Sequence, residues 1–356
     1  MLKSDKGEVK MKALVYNTEF ENNYGLIEKD KPKIKNPKDA ILKVTLSSIC
    51  TSDLHIIHGQ VPRANNGIVL GHEYVGEIVE VGSDVKKLKV GDRVSANCET
   101  FCGECYFCKR GYINNCEHGG WEIGCRIDGC QTEYVRVPYA DNALDKLPDN
   151  VSNLNALFVG DVLATGYFGA EMCEIKPDDI IAVIGSGPVG MCAMMCARVM
   201  GASKIIAIDI DNLRLDIARK QGIADYFLNP NECDVVQEIK ALTSRRGADK
   251  VIEAGGTKET FKMSYEIARA NAIVGVVALY EEDMVLPLPQ IYGKNLTFKT
   301  GGIDAVHSKE LIDWISEGKI NTDFLVTHTY KLENIVEAYE LFQTKADNCI
   351  KIAIEP

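Results

Sequence analysis

Several things are scarce in this chain. Aromatic residues make up 7% of its 356 positions, with two tryptophans, and no patterned aromatic module appears. Basic residues are outnumbered, 40 Lys and Arg against 51 Asp and Glu, for a formal net charge of −11. Phosphate backbones are held by a cationic excess, so a nucleic-acid partner is not expected. No uninterrupted apolar run is long enough to cross a bilayer, so no membrane partner is expected either. The opening "MLKSDKGEVK" is polar and lacks the apolar segment of a secretory leader. The first ten residues read as a tail ahead of the strand-like "MKALVYNTEF", and a cytoplasmic location is the expectation. There is no internal repeat and no low-complexity segment.

Cysteine, by contrast, is plentiful, with thirteen residues. A chain this long does not need a disulfide scaffold, and most of these cysteines sit in apolar contexts. Cys192 and Cys196, four apart in "MCAMMCARVM", read as small buried hydrophobes on a helix.

Length suits two domains. Up to about residue 160 the texture is β-rich, with "AILKVTLSSI" and "VGEIVEVGS" as strands. After "KPDD" it changes. "IIAVIGSGPVG" is an apolar strand ending in glycines, "MCAMMCARVMGA" a helix, "KIIAIDID" a strand and "NLRLDIARKQGI" a helix. This β-α-β-α order is the unit of a parallel sheet. "DKVIEAGG" and "NAIVGVVALY" read as later strands. Beyond about 304, "SKELIDWISEGKI" and "LENIVEAYELFQTK" read as helices and "CIKIAIEP" as a last strand. The expected fold class is α/β. A Rossmann-type doubly wound domain at 162–304 accompanies a mainly β domain formed from 1–161 and 305–356.

Gly185, Gly187 and Gly190, with Pro188 and Val189 among them, form G-x-G-x-x-G between a strand and a helix. In that context the glycines serve a tight turn, close approach of a pyrophosphate, and helix-strand packing. The helix N-terminus then faces the diphosphate. Asp209, 19 residues after Gly190, stands where a carboxylate meets the adenosine ribose, which favours NAD over NADP. Arg214 pulls the other way, and Asp209 could instead cap the following helix.

Cys102, Cys105, Cys108 and Cys116 follow C-x2-C-x2-C-x7-C. Four thiolates close a tetrahedral zinc site and leave no position for substrate, so a structural metal is expected. An iron–sulfur cluster is the other chemistry the spacing admits. Cys98 reads as a neighbour of that site. Upstream, "SICTSDLHIIHG" offers Cys50, Ser52, Asp53, His55 and His58, "LGHEYVG" offers His72 and Glu73, and "VGDVLATGY" offers Asp161. None of these is a strong motif alone.

Together, "GHEYVGEIVEVG", the four-cysteine lobe, "DVLATGY" and "VIGSGPVG" resemble the zinc-dependent medium-chain alcohol dehydrogenase family over nearly the whole chain. The resemblance implies a GroES-like catalytic domain and two zinc ions per chain. Cys50, His72 and Asp161 match the ligands of the catalytic zinc, with Glu73 beside it as an occasional fourth. It further implies that Asp53 orients His72, that Ser52 touches the substrate oxygen, and that His55 ends a proton relay. Thr165 would pack against the nicotinamide, with the cleft lying between the domains. His58 has no role beyond the surface. Asp161 and Trp121 resemble the bacterial secondary-alcohol branch, and Trp121 would line the substrate pocket or else stand as a core tryptophan. The four-cysteine lobe and Asp209 depart from that branch, which is typically NADP-linked. The implied reaction is reversible hydride transfer between a secondary alcohol, or its ketone, and NAD(H). A polyol, 2,3-butanediol or threonine dehydrogenase is the alternative, and a homo-oligomer, tetramer or dimer, is implied. A non-catalytic NAD-binding sensor or a zinc-free quinone reductase would lack the Cys50, His72 and Asp161 set.

Overall fold

The computed structural model describes residues 9–356; the tail read ahead of Met11 lies outside the described residues except for its last two positions. The chain divides into two compact units. One contains the residues up to Asp161 together with Asp304–Pro356, and the other is Val162–Ile303.

The first unit is built on a seven-stranded sheet. Its path runs Val326–Lys331, Lys351–Glu355, Ala40–Ser48, Glu73–Val81, Arg93–Ala96 and Leu144–Lys146, with Tyr134–Val137 also pairing Ala40–Ser48. Alternation explains the strands. In Ala40–Ser48, Lys43 and Thr45 are exposed positions between buried Leu42, Val44 and Leu46. Register positions the site. Ser48 pairs with Glu73, so Cys50, two residues past one strand, and His72, one residue before the other, emerge at the same end. Ala353 pairs with Ser48 as well, which brings the start of the C-terminal strand to that end. The described residues of this unit also contain the helix Thr51–Ile57, which the β-rich reading of the sequence passes over.

The second unit is a six-stranded parallel sheet. Its order is Tyr226–Leu228, Lys204–Ile208, Ile180–Ile184, Ala248–Glu253, Ala268–Val276 and Thr297–Thr300. Counted along the chain this is 3-2-1-4-5-6, the doubly wound order whose switch point lies beside the first strand. Cys192 and Cys196 are fully buried in the helix Pro188–Val199. The helix Val162–Met172 packs on it through Gly166, where a Cβ would lie 2.6 Å from the backbone nitrogen of Ala193.

Candidate active site

Cys50 is the residue that opens the helix Thr51–Ile57, and its local geometry is set by Asp53. The Cys50 N–H donates to Asp53 Oδ2 at 2.9 Å, the reach-back of a capping box. The other oxygen, Oδ1, lies 3.2 Å from His72 Nδ1. One fully buried carboxylate thus accepts from the backbone of Cys50 and lies beside the ring of His72. A carboxylate on the outer nitrogen of a ligating imidazole sets its tautomer and strengthens its donor atom. Asp161 arrives from elsewhere. The Cys98 N–H donates to Gly160 O at 3.0 Å, and Gly160 lies against Ala96 so closely that no Cβ fits.

These pieces converge. Asp161 Oδ2 is 3.5 Å from Cys50 Sγ and 3.3 Å from His72 Nε2. The sulfur, the nitrogen and the carboxylate oxygen all lie within 4.8 Å of one another. One thiol, one imidazole and one carboxylate offer three donor atoms that could hold a metal ion, and three protein ligands is the number that leaves a catalytic zinc an open position. The electrostatics fit a cation. Burial, with the negative charges of Asp161 and Glu73, pushes the Cys50 thiol up. Burial opposes a charged His72, yet Asp53 and Asp161 outweigh it and hold the ring well above its ordinary value. Burial also raises Asp161, but His72 and Lys351 bring it down to about 2.

Ser52 Oγ is 3.7 Å from Cys50 Sγ. His55 lies one turn on, half-buried, with Nδ1 2.5 Å from Gln60 Oε1. Among the described residues no direct hydrogen bond joins Ser52 to His55. His58 is exposed, with its Nε2 3.2 Å from the Gln343 side-chain amide. Trp121 packs edge-on against His72 with ring centroids 5.5 Å apart.

Glu73 is buried, and its Oε2 accepts from Lys351 Nζ, which also donates to Ile49 O at 2.7 Å. Burial raises Glu73 to about 7 even with Lys351 beside it, while Lys351 itself is held at about 12. The sequence reading misses Lys351. Its signal was a lysine inside the apolar alternation of "IKIAI".

The four cysteines of the lobe are free thiols with sulfurs within 4.8 Å of one another. Backbone N–H groups point at them: Cys102 to Cys116 Sγ at 3.3 Å, Glu104 and Cys105 to Cys102 Sγ at 3.4 Å, and His118 to Cys116 Sγ at 3.4 Å. Such donors favour thiolates, and those around Cys105 lower it to about 6, while burial pushes the Cys108 and Cys116 thiols up. Cys98 is buried and outside the cluster.

In the second unit Gly185 has φ +92°, and a Cβ on Gly190 would overlap the carbonyl of Gly185. Around Gly187, by contrast, the nearest atom to such a Cβ is Arg214 Nη1 at 3.6 Å. The loop is therefore tight where it packs and open at the helix start, where Pro188 and Val189 begin Pro188–Val199. Asp209 follows the strand Lys204–Ile208. Its Oδ2 accepts from the Ser186 N–H at 2.6 Å and its Oδ1 from the Asp211 N–H at 2.9 Å. Asp209 is not the cap of the next helix; Asp211 is, accepting from the Leu213 N–H. Arg214 stands 3.9 Å from Asp209 and 3.6 Å from Asp211. Thr165 is half-buried in Val162–Met172.

Residues 36–149 match the alcohol dehydrogenase GroES-like domain, and residues 188–317 match the zinc-binding dehydrogenase family. The chain belongs to the zinc-dependent medium-chain alcohol dehydrogenase family. It is 38% identical to an alcohol dehydrogenase of Cupriavidus necator, across 93% of this chain and 95% of that one. It is 33% identical to an NADP-dependent isopropanol dehydrogenase of Thermoanaerobacter brockii, across 92% and 95%. The alcohol dehydrogenase TADH from Thermus sp. ATN1 superposes with a TM-score of 0.89 at 34% identity, covering 97% of this chain and 99% of that one. This family member is a zinc-binding, NAD(P)-dependent oxidoreductase acting on a CH–OH group or the matching ketone. Among the described residues no helix is long and apolar enough to cross a membrane.

Proposed function

We propose that the enzyme interconverts a secondary alcohol and its ketone with NAD(H). The convergence of Cys50, His72 and Asp161, with the Ser52 hydroxyl beside them, carries this reading. Cys50, His72 and Asp161 would hold the catalytic zinc, with Glu73 as a fourth donor within reach of the site, and the four-cysteine lobe would hold the structural one. When bound, zinc supplies Lewis acidity toward the alcohol oxygen and the nicotinamide supplies a hydride acceptor. The rest is the work of the chain. Asp53 keeps His72 oriented through Nδ1. Ser52 takes the hydroxyl proton from the substrate and hands it toward His55. With Gln60 accepting from Nδ1–H, the Nε2 of His55 is the basic atom that receives it. Thr165 would pack on the nicotinamide.

Support for NAD comes from Asp209. Each carboxylate oxygen accepts one backbone N–H and keeps a second lone pair for a ribose hydroxyl. A 2′-phosphate there would meet a carboxylate, and Arg214 is already drawn to two acidic side chains. The loop of Gly185, Gly187 and Gly190 would take the pyrophosphate. A dimer or tetramer goes with this reading.

The test is steady-state reduction of acetone, acetoin, fructose and a bulky cyclic ketone, each with NADH and with NADPH. Faster turnover of the small ketones with NADH is expected. Better use of NADPH would overturn the reading of Asp209, and no turnover of any ketone would overturn the reaction.

A further inference from the structure

Glu253 closes the strand Ala248–Glu253 and is fully buried. Its Oε1 accepts from the Gly255 N–H at 2.8 Å and from the Gly256 N–H at 3.0 Å, and its Oε2 accepts from the Tyr280 hydroxyl. Burying a carboxylate is costly unless donors meet it, and an aliphatic side chain would fill the space without that cost. The donors come from two separate segments. Gly255 and Gly256 follow this strand, and Tyr280 follows the next one, Ala268–Val276. The main chain of Glu253 ties the two segments a second time, its carbonyl accepting from the Val277 N–H at 2.9 Å and the Ala278 N–H at 3.3 Å. Phe261 packs edge-on against the Tyr280 ring, with centroids 5.9 Å apart. Burial and the Glu253 carboxylate push the Tyr280 phenol up, so it stays a donor.

Both segments leave the carboxyl ends of adjacent parallel strands, where an open α/β sheet binds its ligand. A sheet of order 3-2-1-4-5-6 has two mononucleotide halves that meet between strands 1 and 4, here Ile180–Ile184 and Ala248–Glu253. Asp209, just past Lys204–Ile208, belongs to the adenosine half. Glu253 and Tyr280 belong to the other half. The seam between the halves is close. The Ala254 N–H donates to Ile184 O at 2.8 Å, and a Cβ on Gly185 would lie 2.9 Å from the carbonyl carbon of Ala254. The glycine turn nevertheless has its own anchors on the adenosine side. The Gly185 N–H donates to Ile208 O at 2.8 Å and the Ser186 N–H to Asp209 Oδ2 at 2.6 Å. The Glu253 bonds therefore hold the second half, and separate bonds hold the first.

We propose that Glu253 and Tyr280 are positioning residues for the nicotinamide half of the cofactor. Their bonds fix the segments 254–256 and 277–280 against each other, and on that pair of segments the nicotinamide and its ribose rest. This rests on the nicotinamide cofactor of the reading above and adds the device that orients its reacting half. Neither side chain reacts. Glu253 is sealed beneath the segments, and Tyr280 uses its hydroxyl on Glu253. What they supply is order: hydride transfer needs the ring held in its attack geometry, and a small misplacement costs rate even when its cause touches no substrate. The bonds also rank the variants. Tyr280→Phe leaves the buried Oε2 without its donor. Glu253→Leu removes the clamp. Glu253→Gln keeps a carbonyl oxygen for the two glycine N–H groups and an amide that can donate to the Tyr280 oxygen.

Two probes separate the halves. One is the reduced cofactor that the wild type binds more tightly, NADH or NADPH, followed by its own emission. The other is AMP, which offers the adenosine half alone, followed by calorimetry. In folded Glu253→Leu the reduced cofactor should bind at least about 10-fold more weakly, the loss expected for hydrogen bonds to a charged group. AMP should stay within about twofold of wild type, as for an independent site. Tyr280→Phe should show the same pattern at several-fold, and Glu253→Gln should retain most of the wild-type affinity. Ketone reduction read alongside should show a raised KM for the cofactor and a lowered kcat, at unchanged zinc content. Melting temperature accompanies each variant, and Tyr280→Phe decides if Glu253→Leu does not fold. Equal losses for AMP and the reduced cofactor would mean a sheet merely loosened and would overturn the assignment. Undiminished cofactor affinity in the deciding variant overturns it as well. A wild type that binds neither NADH nor NADPH overturns the cofactor reading itself, a result that needs no variant.

Discussion

Lys351 and Glu73 are 278 positions apart and form an ion pair inside the protein, with side chains 2% and 0% exposed. Two strands that both pair near Ser48 bring them together. A buried pair is held by mutual attraction against the cost of desolvation, so removing one partner is far worse than removing both. Lys351→Met should destabilise the protein by about 3–5 kcal/mol, the range for a stranded buried charge. Lys351→Met with Glu73→Gln should recover most of that loss. Denaturant unfolding of the two single variants and the double variant checks this. Losses that simply add would contradict the coupling.

The four-cysteine lobe gives a different signature. Cys105→Ser should remove one zinc equivalent and lower the melting temperature, because the site is closed and has no place for substrate. KM for the alcohol in the surviving folded fraction should stay near the wild-type value. A variant that loses the second zinc at undiminished stability would show that the lobe does not depend on it.

Ser52 and His55 should separate in kinetics. Ser52→Ala should cut kcat/KM for alcohol oxidation by on the order of 10²-fold. His55→Gln should cost less, since no direct bond joins it to Ser52 and water can carry the proton. The pH profile of His55→Gln should shift more than its binding of NAD. Full activity in Ser52→Ala would remove the relay.

Glu99 makes stability depend on pH in a known direction. Its folded value is raised to about 8 by burial and by Asp161, with Asp304 adding and Arg63 and His72 opposing. An unfolded glutamate titrates near its ordinary value of about 4.3. Between these values the folded state binds the proton and the unfolded state does not, so this contribution is full below about pH 4 and is lost as pH rises through 8. Glu99→Gln does not titrate. Its melting temperature relative to wild type should therefore climb from pH 5 to pH 8.5. A difference that stays flat across that interval would place the carboxyl in an ordinary, solvated environment.

Much of this was legible in the sequence, for identifiable reasons. The parallel sheet could be read because Ile180–Ile184 and Lys204–Ile208 are apolar runs stopped by glycine or aspartate, and the helix between them, Pro188–Val199, is twelve residues long and opens on the glycine pattern. The four-cysteine set could be named from residue type and spacing, whereas Cys50, His72 and Asp161, far apart in the chain, were named only through the family resemblance. Thr51–Ile57 was not legible, being seven residues long and opened by a cysteine in place of a Ser, Thr or Asp cap. Val162–Met172 was hidden too, its small and apolar residues being buried on nearly every side. Lys351 and Glu99 escaped because their significance is a partner, or the lack of one, and both depend on long-range register. Asp209 and Asp211 show the same limit: two acids two apart, of which only the backbone reveals that the second caps the helix.

The central claim is that Cys50, His72 and Asp161 hold a metal on which the reaction depends. Metal analysis of protein purified without chelator, paired with NADH-linked ketone reduction, tests it directly in the wild type and in Asp161→Ala. The account predicts two zinc equivalents per chain in the wild type, and one equivalent with activity lost in Asp161→Ala. One equivalent in the wild type, unchanged in Asp161→Ala, would contradict it.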